Sequence, residues 1–323
     1  MERESAAPED LPPLELRKLR DLEVEEPSGP GRAAHLSAAS GVVRRAGYVY
    51  VIGDDELHLG VFDVSSGRPG RLQRVLKGDL PDSHKERSRE KPDLEALTLL
   101  PPFEGSPHGA LLGLGSGSGP RRDRGFVCAL APDGSLGEEL REISLEPVYA
   151  LLREHIAELN VEGAATMGDR LWLLQRGSQE AGSNLVAELS LDEVMRSLRE
   201  DLTIDAHELE GVRSYELGDI DGVELTFSDA TPMAEQLVVF TASAEAEDGA
   251  ILGSVVGTLG LDGSVQRLRT IDRRWKVEGV HAAIDTGVLD FTFVCDQDDP
   301  DAPSPLLVAT MPVDGRLEYE PSG

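Results

Sequence analysis

The chain has 323 residues, of which 40% are hydrophobic and only 4% aromatic, with 34 glycines and 20 prolines. That mixture suits many short strands joined by turns, and it excludes a disordered chain and a helical bundle. The 60 acidic side chains against 31 basic ones give a formal charge of −29, a field that repels nucleic acid and anionic membranes and predicts neither as a partner. In chain order, MERESAAPEDLPPLEL has no apolar signal-peptide core, so residues 1–13 read as a flexible tail ahead of one domain over 14–320. LELRKLRDLEV (14–24) alternates like an edge strand and is expected to complete the last repeat, locking the two chain ends together.

A repeat then begins. Each copy opens with a small or acidic residue followed by Gly or Ala, runs through an apolar stretch, turns, and returns as a second apolar strand. The copies are anchored at Ser40-Gly41, Glu95-Ala96, Glu162-Gly163, Asp221-Gly222 and Glu278-Gly279. A third and usually a fourth strand follow, as in GFVCALAP with LREISL, separated by turns such as Asp133-Gly134, Asp262-Gly263 and Asp314-Gly315. Four short strands per unit, repeated radially, predict an all-β five-bladed β-propeller. A six-bladed ring and paired sandwiches compete, and the five anchors and total length favour five. Between blades, HKERSREKPD (84–93) reads as a charged loop, and LEPVYALLREHIAEL (145–159) has helical spacing. SLDEVMRSLRED (190–201) carries Ser190 and Glu193 at capping-box spacing.

In a propeller the innermost strands line the channel, so equivalent residues form a ring. The anchors place Ser40, Glu95, Glu162, Asp221 and Glu278 there. Four converging carboxylates repel unless some hold protons or share a cation. Oxygen-only ligation by Glu95, Glu162, Asp221 and Glu278 favours Ca²⁺ or Mg²⁺ over zinc; the competing reading is that each acid caps a turn. The ends of the second strands supply a further ring: Asp54 and Asp55, Ser116 and Ser118, Gln175 and Arg176, Ser243, Asp296 and Gln297, with Ser243 read as a turn residue. Of these, Asp54, Ser116, Gln175, Arg176 and Asp296 are the expected substrate contacts, joined by Lys91 and Arg121 from the basic runs Lys85/Arg87/Arg89/Lys91 and Arg121/Arg122/Arg124. The run Gly115–Gly119 lacks the Gly-Lys-Ser/Thr ending of a phosphate-binding loop and the frame of a nucleophile elbow. Cys128 and Cys295 stand far apart without a C-x-x-C spacing and read as buried thiols of a reducing, cytoplasmic protein.

At KPDLEALTLL, at GLGSGS with RRDRG, and at NVEGAATMGDRLWLLQRGS, the sequence resembles a group of uncharacterised bacterial propellers. More distantly it is similar to phytase-like esterase propellers and to calcium-activated nucleotidases. The resemblance covers about residues 36 to 310 and implies a propeller with a metal in its channel; it transfers no catalytic set. Two functions follow as expectations. One is a divalent-metal-dependent hydrolase of a phosphorylated or other anionic small molecule at the channel mouth. The other is a non-catalytic ligand- or protein-binding propeller with a structural ion.

Overall fold

The computed structural model describes residues 2–177, 184–234, 237–246, 249–285, 287–296 and 299–312. Its strands form five sheets arranged as five propeller blades, antiparallel throughout except where Glu2–Ser5 joins the third. Blade one runs outward through Ala39–Arg45, Tyr48–Gly53, His58–Asp63 and Arg71–Arg74. Blade two comprises Leu94–Leu100, Ala110–Gly115, Arg124–Leu130 and Leu136–Ser144. Val161–Met167, Arg170–Gln175, Asn184–Ser190 and Gly211–Glu216 make blade three. Blade four is Val223–Ala234, Leu237–Glu245, Ile251–Gly260 and Val265–Thr270. Val277–Asp285, Val288–Cys295 and Pro305–Pro312 form blade five, whose outermost strand is Arg17–Asp21, paired with Pro305–Val308. The ring thus closes through the N-terminal strand, as the alternation of residues 14–24 predicts. Ahead of it, Glu2–Ser5 forms a strand parallel to Arg213–Glu216.

The apolar residues fall into five buried clusters, one at each blade–blade interface. Faces of adjacent sheets bury one another, so the apolar periodicity within each strand becomes an interface between blades. Three helices are present among the described residues. Helix α1 (His84–Glu90) corrects the loop expected there: the Lys, Glu and Arg run consists of strong helix formers behind Ser83. Helices α2 (Glu146–Arg153) and α3 (Leu191–Glu200) fall within their predicted segments. Ser190 Oγ accepts from Glu193 N at 3.4 Å, one half of the predicted capping box. No helix among the described residues is long and apolar enough to cross a membrane.

The ring positions are set by a repeated irregularity. Each innermost strand carries a bulge, at Ser40, Glu95, Glu162, Ser228 and Glu278. A bulge re-aims a side chain and bends the strand. The residue after it is small because the neighbouring blade's backbone passes close by. A Cβ on Gly279 would lie 2.8 Å from the Ser40 carbonyl oxygen, and one on Gly163 would lie 2.6 Å from Ala230 N. Blade four breaks the pattern with Asp229, which is fully buried. Its Oδ1 accepts from Ala230 N at 2.7 Å and its Oδ2 from Val280 N of blade five at 2.8 Å.

Candidate functional site

A cavity of about 940 Å³ opens at the bulged end of the channel. Three ring carboxylates, Glu95, Glu162 and Glu278, reach it together with Ser40. Asp221 does not belong with them. It lies at a hairpin tip with φ 54°, beside Gly222 at φ 84°, and it is 60% exposed in an ion pair with Arg273. Two successive positive φ angles are what a two-residue hairpin loop requires, and Asp-Gly supplies them. The fourth anchor was therefore a turn, and Ser228 fills the ring position, with its Oγ donating to Ser243 Oγ at 3.2 Å. Blade four contributes a serine pair to the ring and no charge.

Residues two positions before the bulges share their strand face, and three of them add polar groups to the cavity: Asp93, Asn160 and Lys276. From the second strands and the segments after them come Asp54, Arg176, Glu245 and Asp296, and from the loop after Gly115 come Ser118 and Arg122. Arg153 of α2 donates to the Gly117 carbonyl at 2.6 Å and to both Asp123 oxygens at 2.7 and 2.9 Å, which pins that loop at the rim.

Cations and carboxylates alternate around the cavity. Lys91 Nζ bonds Asp54 and lies 2.7 Å from Asp93 Oδ1. Arg122 pairs with Asp93 at 2.7 Å. Arg176 bridges Glu162, at 3.5 Å, and Glu245. Lys276 lies 3.5 Å from Glu278 and 3.2 Å from Asp296. Glu95 alone of the three ring glutamates makes no hydrogen bond or ion pair with the described residues, although one ligand oxygen each from Asp54, Asp93 and Glu95 lie within 4.8 Å of one another.

Burial, then repulsion from Glu162, Asp93 and Asp54, pushes the Glu95 carboxyl well above the ordinary range. Burial likewise raises Asp54 to about 6 and Glu278 to about 7, against the opposing pull of their lysine or arginine neighbours. Glu162 is raised by burial too, with Arg176 working the other way. Asp93 behaves differently: burial opposes its charge, but Lys91, Ser116 and Arg122 hold it below the usual carboxylate range. Burial also opposes the Lys91 charge, and Asp54, Glu95 and Asp93 outweigh it, so the ammonium is retained. The site thus sets carboxyls whose protonated form is favoured beside one whose charged form is favoured, the separation that acid–base chemistry at neutral pH uses.

A testable consequence concerns Glu278. Its proton is held more tightly in the folded chain than in the unfolded one. The resulting stabilisation is complete below pH 4.5, the unfolded value, and disappears as pH rises through about 7. Comparing urea unfolding of the wild type with Glu278→Gln across that window should reveal a difference that declines by about 3 kcal/mol. A flat difference would remove Glu278 as the titrating group.

Several predicted contacts lie elsewhere. Gln175 does not line the cavity; its Nε2 donates to the Glu158 and Arg176 carbonyls at 2.9 and 2.7 Å, and its Oε1 accepts from Asn160 N at 2.6 Å. It supports the strand end that carries Arg176. Arg121 points away, 63% exposed and paired with Glu90, while its neighbour Arg122 reaches the cavity. Ser116 sits behind the wall, fully buried, donating to Asp93. Asp55 turns outward to Arg87 of α1, at 2.7 Å, and to Arg32. Ser243 is a buried structural hydroxyl, and Gln297 lies outside the described residues.

The model of a family described as "Family of unknown function (DUF6929)" matches residues 35–311. No curated protein matches the chain. Among solved structures, the chain is similar to the α-L-arabinofuranosidase from Podospora anserina in complex with cellotriose, at 12% identity and TM-score 0.52, over 95% of this chain and 100% of that one. It is also similar to the catalytic domain of the Coprinopsis cinerea GH62 α-L-arabinofuranosidase, at 9% identity and TM-score 0.50, over 93% and 98%. A glutaminyl cyclase from Myxococcus xanthus aligns at 14% identity and TM-score 0.47, over 94% and 100%. At these identities the likeness is one of fold.

Proposed function

We propose, for a chain that belongs to the family of unknown function DUF6929, a hydrolase of a small anionic ester working at the channel mouth with a divalent cation. The observation that carries this reading is Glu95: a carboxyl crowded by Asp54, Asp93 and Glu162, with no protein donor or cation bonded to it among the described residues. Such a group either keeps a proton or takes a cation. The oxygen-only set Asp54, Asp93 and Glu95 suits Ca²⁺ or Mg²⁺, with the Lys91 ammonium as the group an ion must displace or share. When bound, the cation would supply polarisation of the ester group. Glu278, titrating near 7, suits a proton donor or acceptor, and Asn160 donates to Glu162 at 2.6 Å, orienting that carboxylate.

Thermal unfolding tests the cation. After EDTA treatment, added Ca²⁺ or Mg²⁺ should raise the melting temperature of the wild type, as any ligand selective for the folded state does. Glu95→Gln should abolish the rise. A wild-type chain indifferent to both ions overturns the metal-assisted reading. In that event a purely binding role gains, supported by the extent to which Arg176, Arg153 and Lys276 are engaged by protein carboxylates.

A further inference from the structure

One wall of the cavity is organised around Asp93. This residue is 4% exposed and adopts φ 56°, a left-handed conformation that a non-glycine residue keeps only when its surroundings hold it. What holds it is a set of four donors. Ser116 Oγ donates to Oδ2 at 2.5 Å, Ser118 Oγ at 3.2 Å and Arg122 Nη1 at 2.7 Å, while Lys91 Nζ meets Oδ1 at 2.7 Å.

Arg122 differs from the other arginines at this mouth. Arg176 uses both terminal nitrogens, on Glu162 and Glu245, and Arg153 uses both on Asp123 and the Gly117 carbonyl. Arg122 engages Asp93 and Ser118 Oγ through Nη1 alone. Its Nε and Nη2 have no acceptor among the described residues, and its side chain is 26% exposed at the cavity. A guanidinium fixed by one corner, with its remaining donors free, is prepared for a two-point contact with an oxyanion. Ser118 lines the cavity next to it.

We propose that Arg122 and Ser118 form the docking point for the phosphoryl group of a phosphate monoester, with Asp93 as the residue that positions both. The proposal rests on the hydrolase reading and names its substrate class. The Arg122 fork takes two phosphoryl oxygens, and the ester bond then lies toward the ring glutamates.

The test is calorimetric titration of inorganic phosphate into the full chain, in EDTA so that no cation contributes. Saturable binding is expected for the wild type, with affinity weakened by about tenfold or more in Arg122→Met. Arg122→Lys should recover part of the loss and Ser118→Ala should lose less than Arg122→Met. Arg121→Met, which alters the exposed neighbour, should bind as the wild type does. Absence of saturable binding overturns the proposal, as does equal weakening by Arg121→Met and Arg122→Met. Circular dichroism confirms that each variant is folded, and Ser118→Ala keeps the test decisive should Arg122→Met fail to fold. Turnover of p-nitrophenyl phosphate separates the two readings. Phosphate binding without turnover retains the docking point and removes the hydrolase. Turnover whose KM is unchanged in Arg122→Met does the reverse.

Discussion

Replacing Lys91 with methionine is expected to cost about 3–4 kcal/mol of stability in EDTA and to make the chain strongly dependent on calcium. Lys91 is the cation that Asp54 and Asp93 share, and its side chain is only 19% exposed. Methionine retains the stem and removes the charge. Asp54, Asp93 and Glu95 are then left together, with Arg122, at 2.7 Å, as the one cation still bonded to Asp93 among the described residues. Uncompensated buried charge of this kind is among the most destabilising changes a side chain can make. Part of the loss is relieved by protonation of Asp54, which titrates near 6. A calcium ion relieves it more completely, because the three carboxylates have oxygens within 4.8 Å of one another and calcium–oxygen distances are about 2.3–2.6 Å. Thermal unfolding of Lys91→Met should therefore shift upward with Ca²⁺ by more than the wild type does. A variant that calcium fails to rescue beyond the wild-type response would show that these acids do not form a cation site.

The second large effect is expected at Asp229. Changing it to alanine should lower stability by about 4 kcal/mol, measured by urea unfolding. Alanine itself fits the position, since blade two carries Ala96 there. The cost comes from the two backbone N–H groups, Ala230 and Val280, that lose their buried acceptor, and from the space the carboxyl leaves. Asparagine keeps the shape but places a donor where an acceptor is needed at one of the two oxygens, so Asp229→Asn should fall between alanine and wild type. A loss below about 1 kcal/mol in Asp229→Ala would mean that the link from blade four to Val280 contributes little. Because Val280 lies two residues beyond Glu278, loosening that link is also expected to shift the Glu278 carboxyl in the ring.

The blade pattern was legible because it is a repeat, and the repeat states its own register. Four of the five ring positions follow from it: Ser40, Glu95, Glu162 and Glu278. The fifth was hidden by chemistry. In blade four Ser228-Asp229 replaces the acid–glycine pair, while Asp221-Gly222, seven residues earlier, mimics it as a hairpin turn. No local feature separates a bulge before glycine from a turn before glycine. Asp93, Asn160 and Lys276 were readable and overlooked: each stands two residues ahead of a ring glutamate, and a strand returns to the same face every second residue. Arg121 and Arg122 are adjacent in a loop, where sequence carries no periodicity to say which one faces inward. Asp54 and Asp55 present the same problem at a turn, and there Arg87, buried in a helix that composition alone suggested was a loop, decides that Asp55 faces away.

Blade five takes its outermost strand from Arg17–Asp21 and its other three from Val277 onward. This pairing joins segments nearly a whole chain apart, so it carries the greatest loop-closure entropy of the strand pairs described. Synthesis delivers Arg17–Asp21 early and its partner, Pro305–Pro312, late. In the interval the early strand has no ladder to join, and the preceding blades stand beside an open seam. That seam separates blade one from blade five, whose strands bring Glu278, Lys276 and Asp296 to the cavity. The last strand pairing of the ring and the last residues of the cavity wall belong to the same blade, so a chain that has folded four blades lacks Lys276, Glu278 and Asp296 at its cavity, and the titration of Glu278 reports closure of the circle.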